Sequence, residues 1–439
     1  MLRQLRGNAP VSTAATEGRS ESLPPLANLQ ALSGQSPDQI YHDYRRMRDE
    51  FPVYKPPGQD FWCISRYADV QEITRQSDIY SSNIVGVMMQ QQWGLLGGRP
   101  PAPGAGSQCN SGVYPVDVLA VQDLPAHKYQ KKLTHQIVSQ PFVKNLEPAV
   151  RLLATDLLVQ ARQQAREQGE VDFMQAVAWK LPMIMAMRLV GFPEADYPLV
   201  KDGCAHAVRL LSGAITTAEL AAHGAEALKL YRYCWDRYEI ARRDPQDDIT
   251  GGLIRAATEP QHPLTDEEAV SIIFQLLIAG SDSSASTMGN ALRLLLENPA
   301  IEAELRAAPD RIADYIEEVL RLESAFQGHF RLLTGDAELH GVHLKKGDRV
   351  FVLWASANRD ERFWDRPEEI DINRPNLRKH VTFGYGLHAC LGRELARMEI
   401  RVVLETLLAD CSAIHLNGET PYVVSLFTRT LERLPVRLG

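Results

Sequence analysis

The sequence predicts a mainly α-helical domain with a small β region. Three observations carry the prediction. Helical apolar patterns dominate from about Lys128 to Glu323, one of them runs unbroken for about 34 residues, and short strand-like segments punctuated by glycine cluster near residues 53–67 and again after Glu323. The chain has 439 residues, 45% of them hydrophobic, which is enough to bury a large core. No internal repeat is evident.

Taken in order, residues 1–32 read as a flexible lead-in, rich in Ala, Ser, Pro, Gly and Arg and without the apolar core of a signal peptide. A single domain then occupies 33–439. Ser36-Pro37-Asp38-Gln39 opens a helix with a capping serine, a first-turn proline and a glutamine that completes a capping box, and that helix runs to about Phe51. Val53 to Tyr67 reads as a hairpin around Pro56-Pro57-Gly58, and Ala68 to Ser77 as a short helix. The stretch from about Ser81 to Asp123 carries Met88-Met89 and the run Gly97 to Gly104. A loop this long inside a compact domain is functional or mobile, with residues 97–112 also readable as a surface insert. Thr265-Asp266-Glu267-Glu268 is a capping box and Asn298-Pro299 a stop, so the helix between them spans roughly 50 Å. Its middle, Ser271 to Gly280, is apolar nearly all round and therefore buried. Short strands follow at Ala337–Leu339, His343–Leu344 and Arg349–Leu353, with turns at Gly341 and Gly347.

The net charge of −8 argues against a general nucleic-acid binder. The six cysteines are scattered with no C-x-x-C pair, which excludes a disulfide scaffold or zinc ribbon and suits a reducing cytosol. No stretch reads as long enough to cross a bilayer, so the expectation is a cytoplasmic chain without a membrane anchor.

The chemistry concentrates at Phe383-Gly384-Tyr385-Gly386-Leu387-His388-Ala389-Cys390-Leu391-Gly392, which precedes a helical pattern at Arg393 to Met398. A thiolate held near a helix start can be an axial ligand to haem iron and favours O–O cleavage there. Gly386 and Gly392 let the backbone turn tightly and approach a flat macrocycle. Phe383 would shield the sulfur, and N–H groups after Cys390 can donate to it. The alternative for an isolated cysteine is a buried structural thiol. Read as F-x-x-G-x-H-x-C-x-G, the loop resembles the haem-binding signature of the cytochrome P-450 family.

Further constellations join it. Ala279-Gly280-Ser281-Asp282-Ser283-Ser284 puts small and polar residues at the centre of the long helix, where they are costly unless they serve something. It resembles the family's oxygen-activation motif, in which Asp282 relays protons, Ser283 holds a water, and Gly280 loosens the helix and leaves room for a diatomic ligand. The alcohol is usually threonine; serine lacks the methyl that restrains its rotamer. A kinked core helix with back-bonding serines is the competing reading. Glu318-Val319-Leu320-Arg321 resembles the family's E-x-x-R pair, two charges on one helical face that form a structural clamp with Arg374 or a neighbour. His127, Lys131, Arg331 and His388 match positions that bind haem propionates, with Lys131 in place of the usual arginine. Lys128, Lys132, Arg378, Lys379, Arg393 and Arg397 form a basic face on the cysteine side, or else ordinary solvated helix faces.

The resemblance runs from about Ser36 to the C-terminus, including the closing strand-pair region at Phe427-Thr428-Arg429. It implies the triangular prism of that family, with haem b buried between the long central helix and the helix after Cys390. Ala279, Phe383, Gly384, His388, Cys390 and Gly392 would border the cofactor, and Met88, Met89, Ile278, Phe326, His329 and Phe427 the substrate. The implied activity is a monooxygenase that inserts one oxygen atom from O₂ into an apolar small molecule by hydroxylation or epoxidation, acting as a monomer of the soluble bacterial type. Electrons would come from a separate ferredoxin and ferredoxin reductase. Stretches at Ser356–Glu361 and Leu395–Glu399 resemble members acting on terpenoids, steroids or branched lipids. The alternatives are an H₂O₂-driven peroxygenase and a non-catalytic haem-thiolate sensor.

Overall fold

The computed structural model describes residues 37–84, 115–137, 140–211, 217–258 and 264–439. Ser36, Met88, Met89 and the segment 97–112 lie outside these residues.

Helix α1 (Pro37–Glu50) turns Tyr41, Tyr44 and Met47 inward at helical spacing. β1 (Val53–Tyr54) and β2 (Trp62–Ile64) then pair antiparallel, with Gly58 supplying the left-handed residue of the turn at φ +75°. α2 (Tyr67–Arg75) and β3 (Tyr80–Ser81) complete this part. The helical body comprises α3 (Ala126–Ile137), α4 (Gln140–Gln168), α5 (Lys180–Leu189), α6 (Tyr197–Leu210), α7 (Thr217–Ala241), α8 (Ile249–Ala257), α9 (Asp266–Glu297), α10 (Pro299–Ala307) and α11 (Ile312–Leu322). β4 (Val171–Asp172) lies between α4 and α5. The chain finishes with β5 (His329–Leu333), β6 (Ala337–Leu339), β7 (Val342–Leu344), β8 (Arg349–Val352), α12 (Trp354–Ala357), α13 (Arg393–Asp410), β9 (Ile414–Leu416) and β10 (Pro435–Leu438).

The long helix α9 starts on the expected capping box. Thr265 Oγ1 accepts from the Glu268 N–H at 3.1 Å and Glu268 Oε2 accepts from the Thr265 N–H at 2.9 Å. Its 32 residues pack against α5, α6, α7, α8, α11 and α13, which makes it the axis of the molecule. By length and apolar composition it is the one described helix able to span a bilayer, contrary to the sequence reading; packing explains its character, since 61% of its most apolar window is inside the protein.

Among the described residues, three sheets flank the helices. The largest has the order β1-β2-β8-β5-β3, antiparallel except for β2 beside β8, with Arg331 opposite Val350. Strand β5 was not anticipated: only its first four residues, His329 to Leu332, alternate in polarity, a run too short to stand out. The Phe427–Arg429 segment also differs from expectation. It makes an isolated bridge, Phe326 to Thr428, and the closing strand is β10, paired with β4 and β9. The reason lies in α9: the Arg429 carbonyl accepts from Ser286 Oγ at 2.6 Å and Asn290 Nδ2 at 3.1 Å, so helix side chains take an acceptor that a ladder would need.

Candidate functional site

Cys390 sits between a 3₁₀ turn at Gly386–His388 and the first turn of α13. Its N–H donates to the Phe383 carbonyl at 2.8 Å and closes the loop. Gly384 and Gly386 take φ of +71° and +74°, and a Cβ on Gly386 would stand 2.7 Å from the Thr74 carbonyl oxygen of α2. Gly392 is different: its φ is −85° and a Cβ there would meet no protein atom within 4 Å. The tight turn is therefore made at Gly384 and, as expected, Gly386, while Gly392 leaves open space beside the backbone.

Protein surrounds the Cys390 thiol closely enough to raise its pKa, against the opposing pull of the Gly392 N–H, Arg393, Arg397 and Lys131. Yet the residue is exposed. Accessible surface on a thiol so surrounded by protein points to an internal cleft beside it. Half-buried Phe383 lies under the Arg397 guanidinium, 4.7 Å from the ring centroid. Arg397 is itself tied to Glu317 at 2.6 Å, and Glu317 also meets His380 Nε2 at 3.0 Å. Arg397 is thus a structural cation and leaves the predicted basic face, while Lys128, Lys132, Arg378, Lys379 and Arg393 are exposed. A surface hollow of about 680 Å³ beside the cysteine loop is lined in part by Arg378, Lys379, Tyr385 and Arg393.

On the other side of the loop, polar donors converge without acceptors. The His127 and His388 rings lie 4.3 Å apart. Among the described residues, His127 Nδ1 and both ring nitrogens of His388 are buried with no hydrogen-bond partner. Arg331 is buried on β5, and its hydrogen bond runs to the adjacent Phe330 carbonyl at 2.7 Å. Burial first, and neighbouring cations second, push His388 down to about 3. Burial, with Lys131, takes His127 to about 4, and burial takes Arg331 to about 10 against the pull of Asp123. Lys131 does not join the open donors: its Nζ donates to the Leu387 carbonyl and, at 3.4 Å, to the Ala389 carbonyl, bracing the cysteine loop. Buried donors without acceptors are rare and costly. Haem b carries two propionate carboxylates, so a cluster of buried imidazole and guanidinium donors next to a cleft-facing thiol fits that group.

The middle of α9 borders the same kind of space. Ala279 is exposed although Leu277 and Ser281 on either side are buried. Burial pushes the Asp282 carboxyl up to about 6, and the Thr430 hydroxyl, 3.5 Å away, partly opposes the shift. Ser283 Oγ donates to the Ala279 carbonyl at 3.0 Å. The helix is not loosened at Gly280: α9 is continuous, and a Cβ on Gly280 would point to α5, 3.4 Å from Ala186. Ile278 is half-buried against the neighbouring apolar cluster.

Phe326, His329 and Phe427 come together as an aromatic wall. Phe326 stacks on Phe427 with centroids 4.6 Å apart, and His329 stands edge-on to both at 5.3 and 5.0 Å. Trp354 Nε1 donates to His329 Nδ1 at 2.7 Å.

Glu318 and Arg321 form a clamp away from these groups. Both are fully buried, with two hydrogen bonds of 2.8 Å between them. Arg374 Nε is the third member at 2.8 Å from Glu318 Oε1, and the Arg321 guanidinium also reaches the carbonyls of Asn358, Pro367 and Glu369.

Four residues of interest escaped the sequence reading: Trp354, Thr430, Glu317 and Glu399. Their partners are 25, 148, 63 and 115 positions away in the chain, so no local spacing could reveal them. Glu399, buried on α13, contacts Ser284 of α9.

The family model described as cytochrome P-450 matches residues 229–423. Cytochrome P-450 144 of Mycobacterium tuberculosis is 31% identical over 404 residues, covering 92% of this chain and 90% of the relative. The vitamin D(3) 25-hydroxylase of Pseudonocardia autotrophica is 30% identical over 402 residues, covering 90% and 93%. Among solved structures, CYP109E1 from Bacillus megaterium in complex with testosterone superposes with a TM-score of 0.79 at 27% identity, covering 92% of this chain and all of that one.

Proposed function

The chain belongs to the cytochrome P-450 family, and from that premise we propose that Cys390 is the axial thiolate of its haem b and that Asp282 and Ser283 manage protons for a monooxygenase reaction on an apolar small molecule. The family's activity is oxidoreductase chemistry with haem b on a cysteine, which when bound supplies the activation of O₂ and the transfer of one oxygen atom to substrate. The observation that carries the residue assignment is the convergence of the unpartnered imidazole nitrogens of His127 and His388 with buried Arg331, whose hydrogen bond runs to its own neighbour's carbonyl, beside the cleft-facing Cys390. These three residues would hold the propionates, and Lys131 would hold the loop that presents the sulfur.

The Gly392 N–H donates to the Cys390 sulfur and stabilises its anion. Asp282, with a carboxyl near pKa 6, holds or releases a proton close to neutral pH. Ser283 spends its own hydrogen on the Ala279 carbonyl, so its oxygen lone pairs remain to accept an O–H. That makes Ser283 an acceptor that orients and Asp282 the group that exchanges the proton with solvent. Phe326, Phe427 and Ile278 exclude water from the substrate side. The exposed cations Arg378, Lys379 and Arg393 around the surface hollow fit an acidic ferredoxin as the electron donor.

The test is the spectrum of the reduced, carbonyl-bound protein. The expected result is the strongly red-shifted Soret band of a thiolate-ligated haem, lost in Cys390→Ala while the helical circular dichroism is kept. A globin-like spectrum in the wild type, or an unchanged one in Cys390→Ala, refutes the assignment.

A further inference from the structure

We propose that His329 is a specificity-determining hydrogen-bond donor, and that the substrate carries an acceptor oxygen of the ketone or ether kind on an otherwise apolar skeleton. The proposal rests on the monooxygenase reading and adds a substrate class to it.

The argument starts from Trp354. An indole N–H can only donate, and Trp354 Nε1 lies 2.7 Å from His329 Nδ1. Nδ1 must therefore present its lone pair. A neutral imidazole with a lone pair on Nδ1 has its hydrogen on Nε2, so the tautomer is fixed by a partner outside the cleft. A doubly protonated ring would aim an N–H at the indole N–H, and Arg331, two residues along β5, adds a second repulsion. Burial acts in the same direction and holds the imidazole neutral, at about 3. The ring is thus a single donor of fixed direction.

Its surroundings offer that donor nothing. The rings of Phe326 and Phe427 are 5.3 and 5.0 Å away and apolar. Nε2 has no hydrogen-bond partner among the described residues. The side chain is half-buried although protein encloses it, as at Cys390, so its accessible part faces the interior. The wall it belongs to reaches the proton-handling centre: Phe427 is three residues before Thr430, whose hydroxyl meets Asp282. A lone N–H in an aromatic wall is costly when a purely apolar ligand covers it and rewarding when a ligand oxygen meets it. Polar ligands with several donors gain little, because the wall has no second polar group to match them.

The holoenzyme is titrated with matched probe pairs, cyclododecanone with cyclododecane and adamantanone with adamantane, and binding is read by the Soret shift and by calorimetry. The expected result is that the ketone of each pair binds about ten- to hundredfold tighter than its hydrocarbon. His329→Phe should bring the two within about twofold, chiefly by weakening the ketone. His329→Asn, which keeps an N–H, should retain part of the preference. Trp354→Phe should reduce it by freeing the tautomer. Equal binding of ketone and hydrocarbon to the wild type, or a ketone preference untouched by His329→Phe, overturns the proposal. The carbonyl spectrum of each variant separates the two claims: a thiolate-type spectrum with no ketone preference sinks His329 alone, and a globin-type spectrum in the wild type sinks the reading beneath it.

Discussion

Two buried polar clusters on this chain are built on opposite principles. In the Glu318–Arg321–Arg374 clamp the charges are answered: two guanidinium groups meet one carboxylate, and the remaining N–H groups reach backbone carbonyls. In the His127–His388–Arg331 cluster, three imidazole nitrogens have no partner among the described residues, and the guanidinium bonds to the carbonyl of its own neighbour. The first is complete without help and therefore structural. The second leaves imidazole nitrogens without a partner among the described residues, which is why we propose it as a binding surface. Being buried and polar does not separate structure from function; being satisfied does.

The largest expected effect breaks the complete cluster. Glu318→Ala leaves Arg321 and Arg374 buried, facing each other without their anion, a loss on the order of 3–5 kcal/mol. Chemical denaturation should show that loss in the midpoint with an unchanged slope, or the variant should fail to accumulate as folded protein. Arg321→Lys should not restore stability, because an ammonium cannot make the forked pair. A variant within about 1 kcal/mol of wild type would mean that water replaces the carboxylate and that the clamp is not closed.

The incomplete cluster should respond with the opposite sign in the haem-free protein. Arg331→Leu removes a buried cation that has no carboxylate within ion-pair distance among the described residues, so the apoprotein should be unchanged or more stable by about 1 kcal/mol. The holoprotein should instead release haem to an apomyoglobin acceptor about tenfold faster. His388→Phe should behave likewise, with a smaller effect on release because a neutral imidazole contributes no charge. If Arg331→Leu destabilised apoprotein and holoprotein alike, the two clusters would not differ in kind.

How much of this contrast the sequence carried can be judged residue by residue. Cys390, His388, His127 and Arg331 could be singled out because each stands in a short local motif, and the structure brings His127, His388 and Arg331 together. Helix α9 was legible to within a residue at each end, since its cap and stop are local signals. What stayed hidden was pairwise and distant. Lys131 was expected among the donors, yet its ammonium braces the Leu387 and Ala389 carbonyls, a choice made by the approach of α3 to the loop. Gly280 was expected to loosen the helix and instead faces Ala186. Arg397 looked like a surface cation until Glu317 claimed it. In each case residue type was read correctly, and the partner was set by packing between elements far apart in the chain.

Glu399 sharpens the comparison because it lies between the two cases, a buried acid with one alcohol beside it. Burial raises its carboxyl to about 8, and Ser284 only partly offsets the shift. The sign follows from linkage. The folded state holds this proton more tightly than the unfolded state, whose carboxyl titrates near 4.5, so the group's contribution to stability is fully present below about 4.5 and is lost as pH rises through about 8. Within that window each pH unit removes up to about 1.4 kcal/mol. Glu399→Gln has nothing to ionise, so its stability relative to wild type should improve by at least about 1 kcal/mol between pH 5 and pH 8, measured by denaturant unfolding at constant ionic strength. A difference that stayed flat with pH would show that Glu399 is already ionised and answered by a partner, which would move it into the class of the clamp.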